Sequence, residues 1–556
     1  MFRISKPLRW EILNKGKEVK AEDIVKILLK NRGIINSQEK KEFLNPTHPS
    51  KLSLKDLGIK KAEVEKALKR IQKAKKSGEL TIIYGDYDAD GISGCAILWE
   101  CLYANGVNCT PYIPERFSEG YGLNVESVSK LKDEHPELGL IITVDHGVVA
   151  NKKIEDIKAL GVDIIVSDHH QPGKSLPKSY SVVHTTKIGG AALAWILSRE
   201  IRKHFRGKEA YFGDGLELAA LGTIADQLSL LGPNRSFAKY GIEALNKTSR
   251  VGLLALYDES GITPGAIGPY EIGFMIAPRI NAMGRLVHAI DSLRLLCTKS
   301  VSRASELAKL LNKTNLERQK IVQEVVIHAR ASVGEKKGII VLAHESYHEG
   351  VIGLAASSLV EEFYRPAIVI SKKGEVAKAS ARSIHGFNII EAIRKVEKLL
   401  LEGGGHPMAA GFSISSQKIE EFSQRINELS LPLLTGDILT RSLKIDAHLS
   451  FSAITNDLYK KLSSFNPTGI GNPTPTFITK EVLVNEARVV GRDGGHLKLK
   501  LEQEGVEFGA IAFGLGPLFP KLSPKELIDA VYTVNNSTWN GRETLELKIK
   551  DIKIAT

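Results

Sequence analysis

The stretch TIIYGDYDADGISG, residues 81–94, places the strongest constraint on how this chain folds. Residues 81–84 favour a buried strand, and three carboxylates follow at alternate positions, Asp86, Asp88 and Asp90. Two glycines then open a helical run. Three like charges this close repel one another unless cations neutralise them, and Mg²⁺ or Mn²⁺ favour oxygen ligands of this kind. The stretch therefore predicts either a metal-binding turn or a solvated acidic turn that caps a helix.

Strands and helices alternate from here to about residue 230, which is typical of an α/β protein with a parallel sheet. The apolar run 138–144 ends at Asp145-His146-Gly147, and the run 162–167 ends at Asp168-His169-His170. A fourth apolar run stops at Asp226. Because active sites of open α/β sheets lie at the carboxyl ends of the strands, these acids and imidazoles are expected to share one site.

Six carboxylates and two imidazoles suit two divalent ions that share a carboxylate. Such ion pairs lie about 3.5–4 Å apart and stabilise both oxygens of an in-line phosphoryl displacement. Zinc is disfavoured because no thiolate belongs to the set. The residues alone therefore predict a two-metal phosphoesterase.

The composition is compatible with a nucleic-acid substrate without requiring one. Among 556 residues, Lys and Arg number 76 against 64 Asp and Glu, which leaves a net charge of +12. The four cysteines show no CxxC spacing and are expected to be reduced and buried, as in the cytoplasm. No signal peptide and no membrane-spanning run are expected.

Two helical regions follow the predicted sheet. In residues 274–293 the side chains of Arg279 and Arg285 interrupt an apolar segment, and they are candidates for contact with a phosphate backbone. Residues 302–332 contain neither Gly nor Pro. They predict a helix about 45 Å long, which suits a connection between two domains.

A second α/β unit is predicted over residues 337–435. A loop over 378–388 is expected to cluster Ser380 and Arg382, and a glycine-rich loop over 402–412 surrounds His406. Glycine-rich backbone permits close approach to a phosphate. The two loops together predict a substrate-binding face opposite the metals.

Short strands dominate from about residue 440 to the end and predict a small β-barrel. Candidates for binding a single strand through charge and stacking are Lys498, Lys500, Trp539 and Arg542. A purely structural barrel is an equally open interpretation of these residues.

Several of these segments resemble a known family. The segments DYDADG, TVDHG, SDHH and GTIADQ resemble the four motifs of the DHH phosphoesterase superfamily, and GGGHPMAAGF resembles the signature of the DHH-associated domain. The segments PERFSEGYGL, APRINAMGR, LNKTNLERQKI, ASARS and PTGIGNPTPTF resemble the RecJ family of single-strand-specific exonucleases. Departures from the family pattern are His146, Ala381 and a short loop after residue 170.

The resemblance implies a role for each matching residue. Asp86, Asp88 and Asp145 would bind one metal ion. Asp90, His169 and Asp226 would bind the other ion, with Asp145 bridging the two. Asp168 would orient the imidazoles, and His170 would contact the scissile phosphate. The 5′ end of the strand would be held by Arg116, Ser380 and Arg382, with His406 near the scissile nucleotide.

The resemblance also implies an architecture of five segments. These are an N-terminal helical segment (1–55), a DHH catalytic domain (56–300), a connecting helix (301–335), a DHH-associated domain (336–440) and an OB-fold domain (441–556). The implied reaction is 5′→3′ release of mononucleotides from single-stranded DNA in repair and recombination, with Mn²⁺ or Mg²⁺. Family analogy adds a RecQ-type helicase and a single-stranded-DNA-binding protein as partners of a cytoplasmic monomer.

Two alternatives remain open at this point. One is a DHH phosphodiesterase for very short oligonucleotides or a cyclic dinucleotide, although such substrates do not need the additional barrel. The other is a catalytically silent scaffold in a replication or repair complex. Silent members usually lose carboxylates, whereas this chain keeps Asp86, Asp88, Asp90, Asp145 and Asp226.

Overall fold

The computed structural model describes residues 8–16, 18–207, 209–333, 338–522, 524–539 and 542–554. The strands are β1 Arg9–Ile12, β2 Leu80–Gly85, β3 Cys109–Tyr112, β4 Leu138–Val144, β5 Asp163–Asp168, β6 Ser181–His184, β7 Ile340–His344, β8 Ala367–Ser371, β9 Val376–Arg382, β10 Leu400–His406, β11 Ala409–Ser415, β12 Ser442–Ile445, β13 Ala447–His448, β14 Phe477–Val490, β15 His496–Gln503, β16 Val506–Ala512, β17 Leu527–Trp539 and β18 Arg542–Ile554.

The α-helices are α1 Ile24–Asn31, α2 Ser37–Leu44, α3 Lys61–Ser77, α4 Ala89–Ala104, α5 Val125–Glu134, α6 Asn151–Ala159, α7 Gly190–Phe205, α8 Leu216–Ala225, α9 Gly232–Leu245, α10 Val251–Ser260, α11 Ala277–Leu286, α12 Ile290–Cys297, α13 Val301–Val333, α14 Ile352–Phe363, α15 Ile389–Arg394, α16 Ile419–Ser430 and α17 Asn456–Ser463. Within the described residues no helix is both long enough and apolar enough to cross a bilayer.

The chain forms two compact units, and the division falls inside α13. The first unit comprises Ser37–Arg318 and Asn466–Pro473. The second unit comprises Met1–Asn36, Gln319–Phe465 and Thr474–Thr556. Helix α13 spans Val301–Val333, close to the single helix that the sequence predicts.

The first unit is built on a five-stranded sheet in the order β3-β2-β4-β5-β6. All four pairings are parallel. Strands β2 and β4 are almost continuously buried, as expected for a parallel sheet covered by helices on both faces. The parallel α/β prediction is therefore confirmed, and the carboxyl ends of β2, β4 and β5 lie along one edge.

The apolar run before Asp226 is a helix and not another strand. Helix α8 covers Leu216–Ala225, and every residue of it is buried except Ala225. Asp226 is the residue that ends this helix. An apolar run buried on all sides has no periodicity that separates helix from strand, which is why the sequence did not distinguish them.

The second unit contains a five-stranded mixed sheet in the order β10-β11-β9-β8-β7. Ser380 and Arg382 lie on strand β9, so their prediction as loop residues is wrong. The glycine-rich segment is likewise a hairpin, in which β10 pairs with β11 and His406 lies opposite Ala409. Buried alanines alternate with the larger side chains along β9, and this period of two is the strand signal.

The C-terminal strands form a closed barrel in the second unit. Each strand pairs with the next in the order β14-β15-β16-β18-β17, and the barrel closes because β17 also pairs with β14. The barrel prediction is confirmed. The N-terminal segment, predicted to be only helical, contains strand β1, which pairs in parallel with β12. A four-residue strand of this kind has too short a pattern to be recognised from sequence.

Candidate active site

The loop between β2 and α4 carries the first three aspartates. Asp88 caps helix α4, because its Oδ1 atom accepts hydrogen bonds from the Asp90 and Gly91 amides, both at 3.0 Å. Asp86 Oδ1 accepts a hydrogen bond from the Tyr87 amide at 2.7 Å. One oxygen of Asp86 and one of Asp88 thus organise the loop, and both residues keep their Oδ2 atoms for a ligand.

Asp90 is held by the amino end of helix α7. Its two oxygens accept hydrogen bonds from the Gly190 amide at 2.7 Å and the Ala191 amide at 2.9 Å. A Cβ at Gly222 would lie 2.1 Å from Asp90 Oδ1, so only glycine leaves room for this carboxylate. Helix-terminal amides also favour a negative charge at this position.

Asp145 follows β4 in a left-handed backbone conformation, with φ 69°. Its amide donates to the Ser167 carbonyl oxygen at 3.0 Å, and its own carbonyl oxygen accepts from the Tyr121 hydroxyl at 3.3 Å. A Cβ at Gly190 would lie 2.5 Å from Asp145 Oδ1. Neighbouring backbone and a glycine therefore hold the Asp145 carboxylate at the centre of the sheet edge.

His169 brings the carboxylates together. Its Nε2 atom lies 2.9 Å from Asp145 Oδ1, 3.7 Å from Asp226 Oδ2 and 3.8 Å from Asp90 Oδ2. Burial, followed by repulsion from His170, lowers the pKa of His169 to about 4. A neutral imidazole has a lone pair to offer a metal ion.

Three groups of side chains have ligand atoms within 4.8 Å of one another. They are Asp86 with Asp88 and Asp145; Asp90 with His169 and Asp226; and Asp145 with His169 and His170. Asp145 and His169 each belong to two groups, so the arrangement has room for neighbouring ions that share a ligand.

Two observations test whether this site fits divalent cations. Asp145 Oδ1 is buried without a hydrogen-bond partner among the described residues. Burial, followed by repulsion from Asp88, raises the pKa of Asp90 to about 7, and burial and Asp90 raise the pKa of Asp226 to about 8. Cations would supply both the missing partner and the missing positive charge, so the donor set fits hard divalent metals.

Asp168 and His170 form a pair beside this cluster. Asp168 Oδ1 lies 2.8 Å from His170 Nδ1, and Asp168 Oδ2 accepts a hydrogen bond from the Val148 amide at 2.8 Å. The hydrogen bond with Asp168 raises the pKa of His170 to about 9. His170 is half-exposed, and its raised pKa favours a charged imidazolium near neutral pH, whereas the lowered pKa of His169 favours a neutral ring.

His146 is buried beneath the loop that carries Asp145. Its Nε2 atom donates to the Tyr84 carbonyl oxygen at 2.9 Å, and its ring meets the Tyr84 ring edge-on. Burial lowers the pKa of His146 to about 4. This departure from the family pattern therefore joins β2 to β4 without entering the carboxylate cluster.

The three predicted arginines of the first unit occupy different positions. Arg116 lies over the Tyr87 ring at 5.0 Å, and its charge also counteracts the raised pKa of Asp86. Arg285 lies close enough to act electrostatically on Tyr87. Arg279 instead faces α13, where its Nε atom donates to Asn312 Oδ1 at 3.0 Å. Arg116 and Arg285 therefore border the carboxylate cluster, whereas Arg279 contacts helix α13.

Ser380 and Arg382 lie together in the second unit. Arg382 Nη1 donates to Ser380 Oγ at 3.1 Å. A Cβ at Gly353, in the first turn of α14, would lie 3.0 Å from both Arg382 Nη2 and Ser380 Oγ. A guanidinium, a hydroxyl and a helix amino terminus thus converge, as in anion-binding sites. His406 is exposed at the end of β10.

The sequence did not single out the residues that make room for the carboxylates. Gly190 and Gly222 lack the Cβ atoms that would collide with Asp145 and Asp90, and Tyr121 supports the Asp145 backbone. A glycine next to an apolar helical run was the available signal. Such glycines are common, so a glycine at this place indicates space for a carboxylate only when the carboxylate opposite it is known.

Comparisons with known proteins agree with this geometry. Family models match at three places: the DHH family N-terminal domain at residues 80–223, the DHHA1 domain at 335–430 and the RecJ OB domain at 445–551. The fold and the acidic site thus define a DHH-family protein with an additional OB domain.

Full-length comparisons are more specific. The chain is 33% identical to the single-stranded-DNA-specific exonuclease RecJ of Bacillus subtilis, over 100% of this chain and 71% of that protein. The crystal structure of RecJ from Thermus thermophilus in complex with Mn²⁺ superposes with a TM-score of 0.84 at 28% identity, covering 99% of this chain and 80% of that one. A second structure of that protein in complex with Mg²⁺ gives a TM-score of 0.77 at 27% identity, covering 99% and 79%. The chain belongs to the RecJ family.

Proposed function

We propose that this chain is an exonuclease that hydrolyses single-stranded DNA with divalent metal ions. The observation that carries the proposal is the convergence of five aspartates and two histidines at one sheet edge, with ligand atoms within 4.8 Å in each group. The names of the relatives, which are single-stranded-DNA-specific exonucleases, supply the substrate class.

The proposed ligands follow the three groups of side chains. Asp86, Asp88 and Asp145 would hold one Mn²⁺ or Mg²⁺ ion, and Asp90, Asp145, His169 and Asp226 would hold the other. Bound there, two ions would activate a water nucleophile and neutralise charge on the phosphate. The structures of the Thermus relative in complex with Mn²⁺ and with Mg²⁺ support this choice of metals.

The Asp168–His170 pair would act on the scissile phosphate. Asp168 fixes the imidazole through Nδ1, which leaves Nε2 for the substrate. The raised pKa of His170, about 9, keeps the ring cationic near neutral pH. Such a preorganised donor would stabilise the negative charge that develops on the phosphoryl oxygens.

In the second unit, Ser380 and Arg382 would hold a terminal phosphate of the strand, and His406 would contact the region of the scissile nucleotide. In the first unit, we propose Arg116 separately as a contact of the 5′ end. The convergence of Arg382 with the first turn of α14 supports this role. Recognition of a 5′ phosphate would give 5′→3′ polarity and mononucleotide products. Arg285 borders the carboxylate cluster and would contact the phosphate backbone of the DNA there. We propose that Arg279 contacts the phosphate backbone at a point further from the carboxylate cluster.

One part of the barrel surface has the character of a single-strand site. Arg488, Lys498, Ile511 and Lys548 lie side by side on four neighbouring strands. Phe513 is 53% exposed, with Lys548 Nζ 5.3 Å from its ring centre. Cations that flank an exposed aromatic ring favour a strand that stacks its bases and pairs its phosphates.

Other predicted barrel residues contribute less to this surface. Lys500 Nζ lies 3.3 Å from Glu486 and 3.4 Å from Glu507, so its charge is already matched. The side chains of Trp539 and Arg542 lie outside the described residues. We therefore place the barrel's DNA contact at Arg488, Lys498, Phe513 and Lys548, called the basic barrel row below.

We further propose a role in DNA repair and recombination in the cytoplasm, with the protein as a monomer. The four free cysteines support a reducing compartment. A RecQ-type helicase and a single-stranded-DNA-binding protein are proposed as partners on family analogy alone.

A degradation assay tests the function. Single strands labelled at the 5′ or the 3′ end are incubated with the full chain and either Mn²⁺ or Mg²⁺. We expect immediate release of labelled mononucleotide from the 5′-labelled strand and late release from the 3′-labelled one. Release from the 3′ end first would overturn the polarity. Faster cleavage of a dinucleotide than of a long strand would favour the short-oligonucleotide alternative, and failure to bind either metal would favour the scaffold.

A further inference from the structure

We propose that Asn281 is a positioning residue for the metal site, acting through the loop that carries Asp86, Asp88 and Asp90. This inference rests on the proposed two-metal function. Asn281 lies on helix α11, far from that loop in sequence, and its Oδ1 atom accepts a hydrogen bond from the Ala89 amide at 2.7 Å.

The contact completes the capping of helix α4. Asp88 Oδ1 accepts from the Asp90 and Gly91 amides, and the Asp88 carbonyl oxygen accepts from the Ile92 amide at 2.8 Å. The Ala89 amide is the remaining donor of this first turn, and Ala89 is buried. Asn281 therefore satisfies a buried donor to which Asp88, already bound to the next two amides, makes no hydrogen bond.

A second contact holds the same helix against the same loop. A Cβ at Gly284 would lie 2.6 Å from the Tyr87 carbonyl oxygen, so α11 approaches the loop backbone as closely as a glycine allows. Asn281 and Gly284 are three residues apart and share a helix face. This face of α11 contacts the backbone of residues 87 and 89. These two residues flank Asp88, and Asp90 follows them.

The consequence concerns the free oxygens of the loop. With Asn281 bound to Ala89, the two cap hydrogen bonds of Asp88 both go to Oδ1, and one carboxylate oxygen of Asp88 lies within 4.8 Å of ligand atoms of Asp86 and Asp145. Without Asn281, the loop is free to rotate so that Asp88 or water accepts the hydrogen bond from the Ala89 amide. That rotation would move a proposed ligand, and partners of ligands typically change metal affinity by about 10–100-fold.

Calorimetric titration of the full chain with Mn²⁺ alone tests the inference. Asn281→Leu keeps the branched outline of the side chain and removes the acceptor, whereas Asn281→Asp keeps an acceptor oxygen. Asn281→Ala replaces the larger leucine variant should it not fold. We expect about tenfold weaker Mn²⁺ binding for Asn281→Leu and tighter binding for Asn281→Asp than for Asn281→Leu. On DNA, kcat should fall while KM stays close to that of the parent.

Ser292→Ala is the matched control. Its Oγ atom donates to the Ile280 carbonyl oxygen at 3.0 Å, so the change loosens α11 without touching the loop. It should lower Tm and leave Mn²⁺ affinity unchanged. Unchanged Mn²⁺ affinity in Asn281→Leu, or equal weakening in the Asp and Leu variants, would overturn the inference. Failure of the parent protein to bind Mn²⁺ would instead overturn the proposed function.

Discussion

The Nε2 atom of His169 lies 2.9 Å from the Oδ1 atom of Asp145, and this carboxylate oxygen has no hydrogen-bond partner among the described residues. Two ligand atoms at right angles on an octahedral ion, each about 2.1 Å from it, lie about 3 Å apart. The pair is therefore spaced as two ligands of one metal ion would be.

The first prediction follows from that pair. Asp145→Asn should abolish Mn²⁺-dependent nucleotide release, because an amide is a poorer ligand than a carboxylate. Asparagine also tolerates the left-handed backbone of Asp145, so folding should be preserved. Single-strand binding, measured by fluorescence anisotropy, serves as the control and should persist. Turnover equal to that of the parent would contradict the two-metal model.

The second prediction concerns the space beside Asp90. Gly222→Ala would place a Cβ 2.1 Å from Asp90 Oδ1 and 2.6 Å from Ala191 Cβ, and such overpacking costs about 1–3 kcal/mol. We expect a lower Tm and weaker Mn²⁺ binding. Gly273→Ala, with nothing within 4 Å of the added Cβ, should alter neither. Equal behaviour of the two variants would show that Asp90 is not confined by Gly222.

The third prediction separates two roles for His170. If His170 contacts the phosphate, His170→Gln should lower kcat by about 100-fold and leave Mn²⁺ affinity unchanged. Asp168→Asn should act in the same direction, because the hydrogen bond that raises the pKa of His170 is weakened. Loss of Mn²⁺ binding in His170→Gln would instead identify this residue as a ligand, as its proximity to Asp145 and His169 also permits.

The fourth prediction addresses the proposed contact of Ser380 and Arg382 with a terminal phosphate. Arg382→Ala should raise the KM for 5′-phosphorylated single strands about tenfold or more, since charge-assisted hydrogen bonds contribute about 1.5–3 kcal/mol each. Lys378→Ala, on the same face of β9 but paired with Glu402, is the control and should have little effect. An unchanged KM in the Arg382 variant would make this residue structural.

The fifth prediction concerns the basic barrel row. Lys498→Ala should weaken single-strand binding and reduce the slope of log K against log salt by about 0.7, because one fewer phosphate is neutralised. Lys500→Ala should change the slope much less, since Glu486 and Glu507 already match that charge. Identical slopes for both variants would mean that the row does not bind the strand.

Local patterns in the sequence determined much of this molecule. The strands that end next to Asp86 and Asp145 and at Asp168 follow from apolar runs. The long helix α13 follows from an uninterrupted helical pattern, and the terminal barrel from alternation. These signals survive in sequence because they arise between residues close together in the chain. The gathering of acids at one edge also followed, since parallel strands end on the same side of a sheet.

Only the tertiary structure decided which of those side chains contact one another. Gly190 leaves space for Asp145, and Gly222 leaves space for Asp90. Asn281 accepts the hydrogen bond of the Ala89 amide. These contacts join segments that are distant in sequence. Asp168 binds His170 and leaves His169 to the carboxylates, although the three residues are consecutive. Side-chain direction and close packing are set by neighbours across the fold, and no local pattern along the chain encodes them.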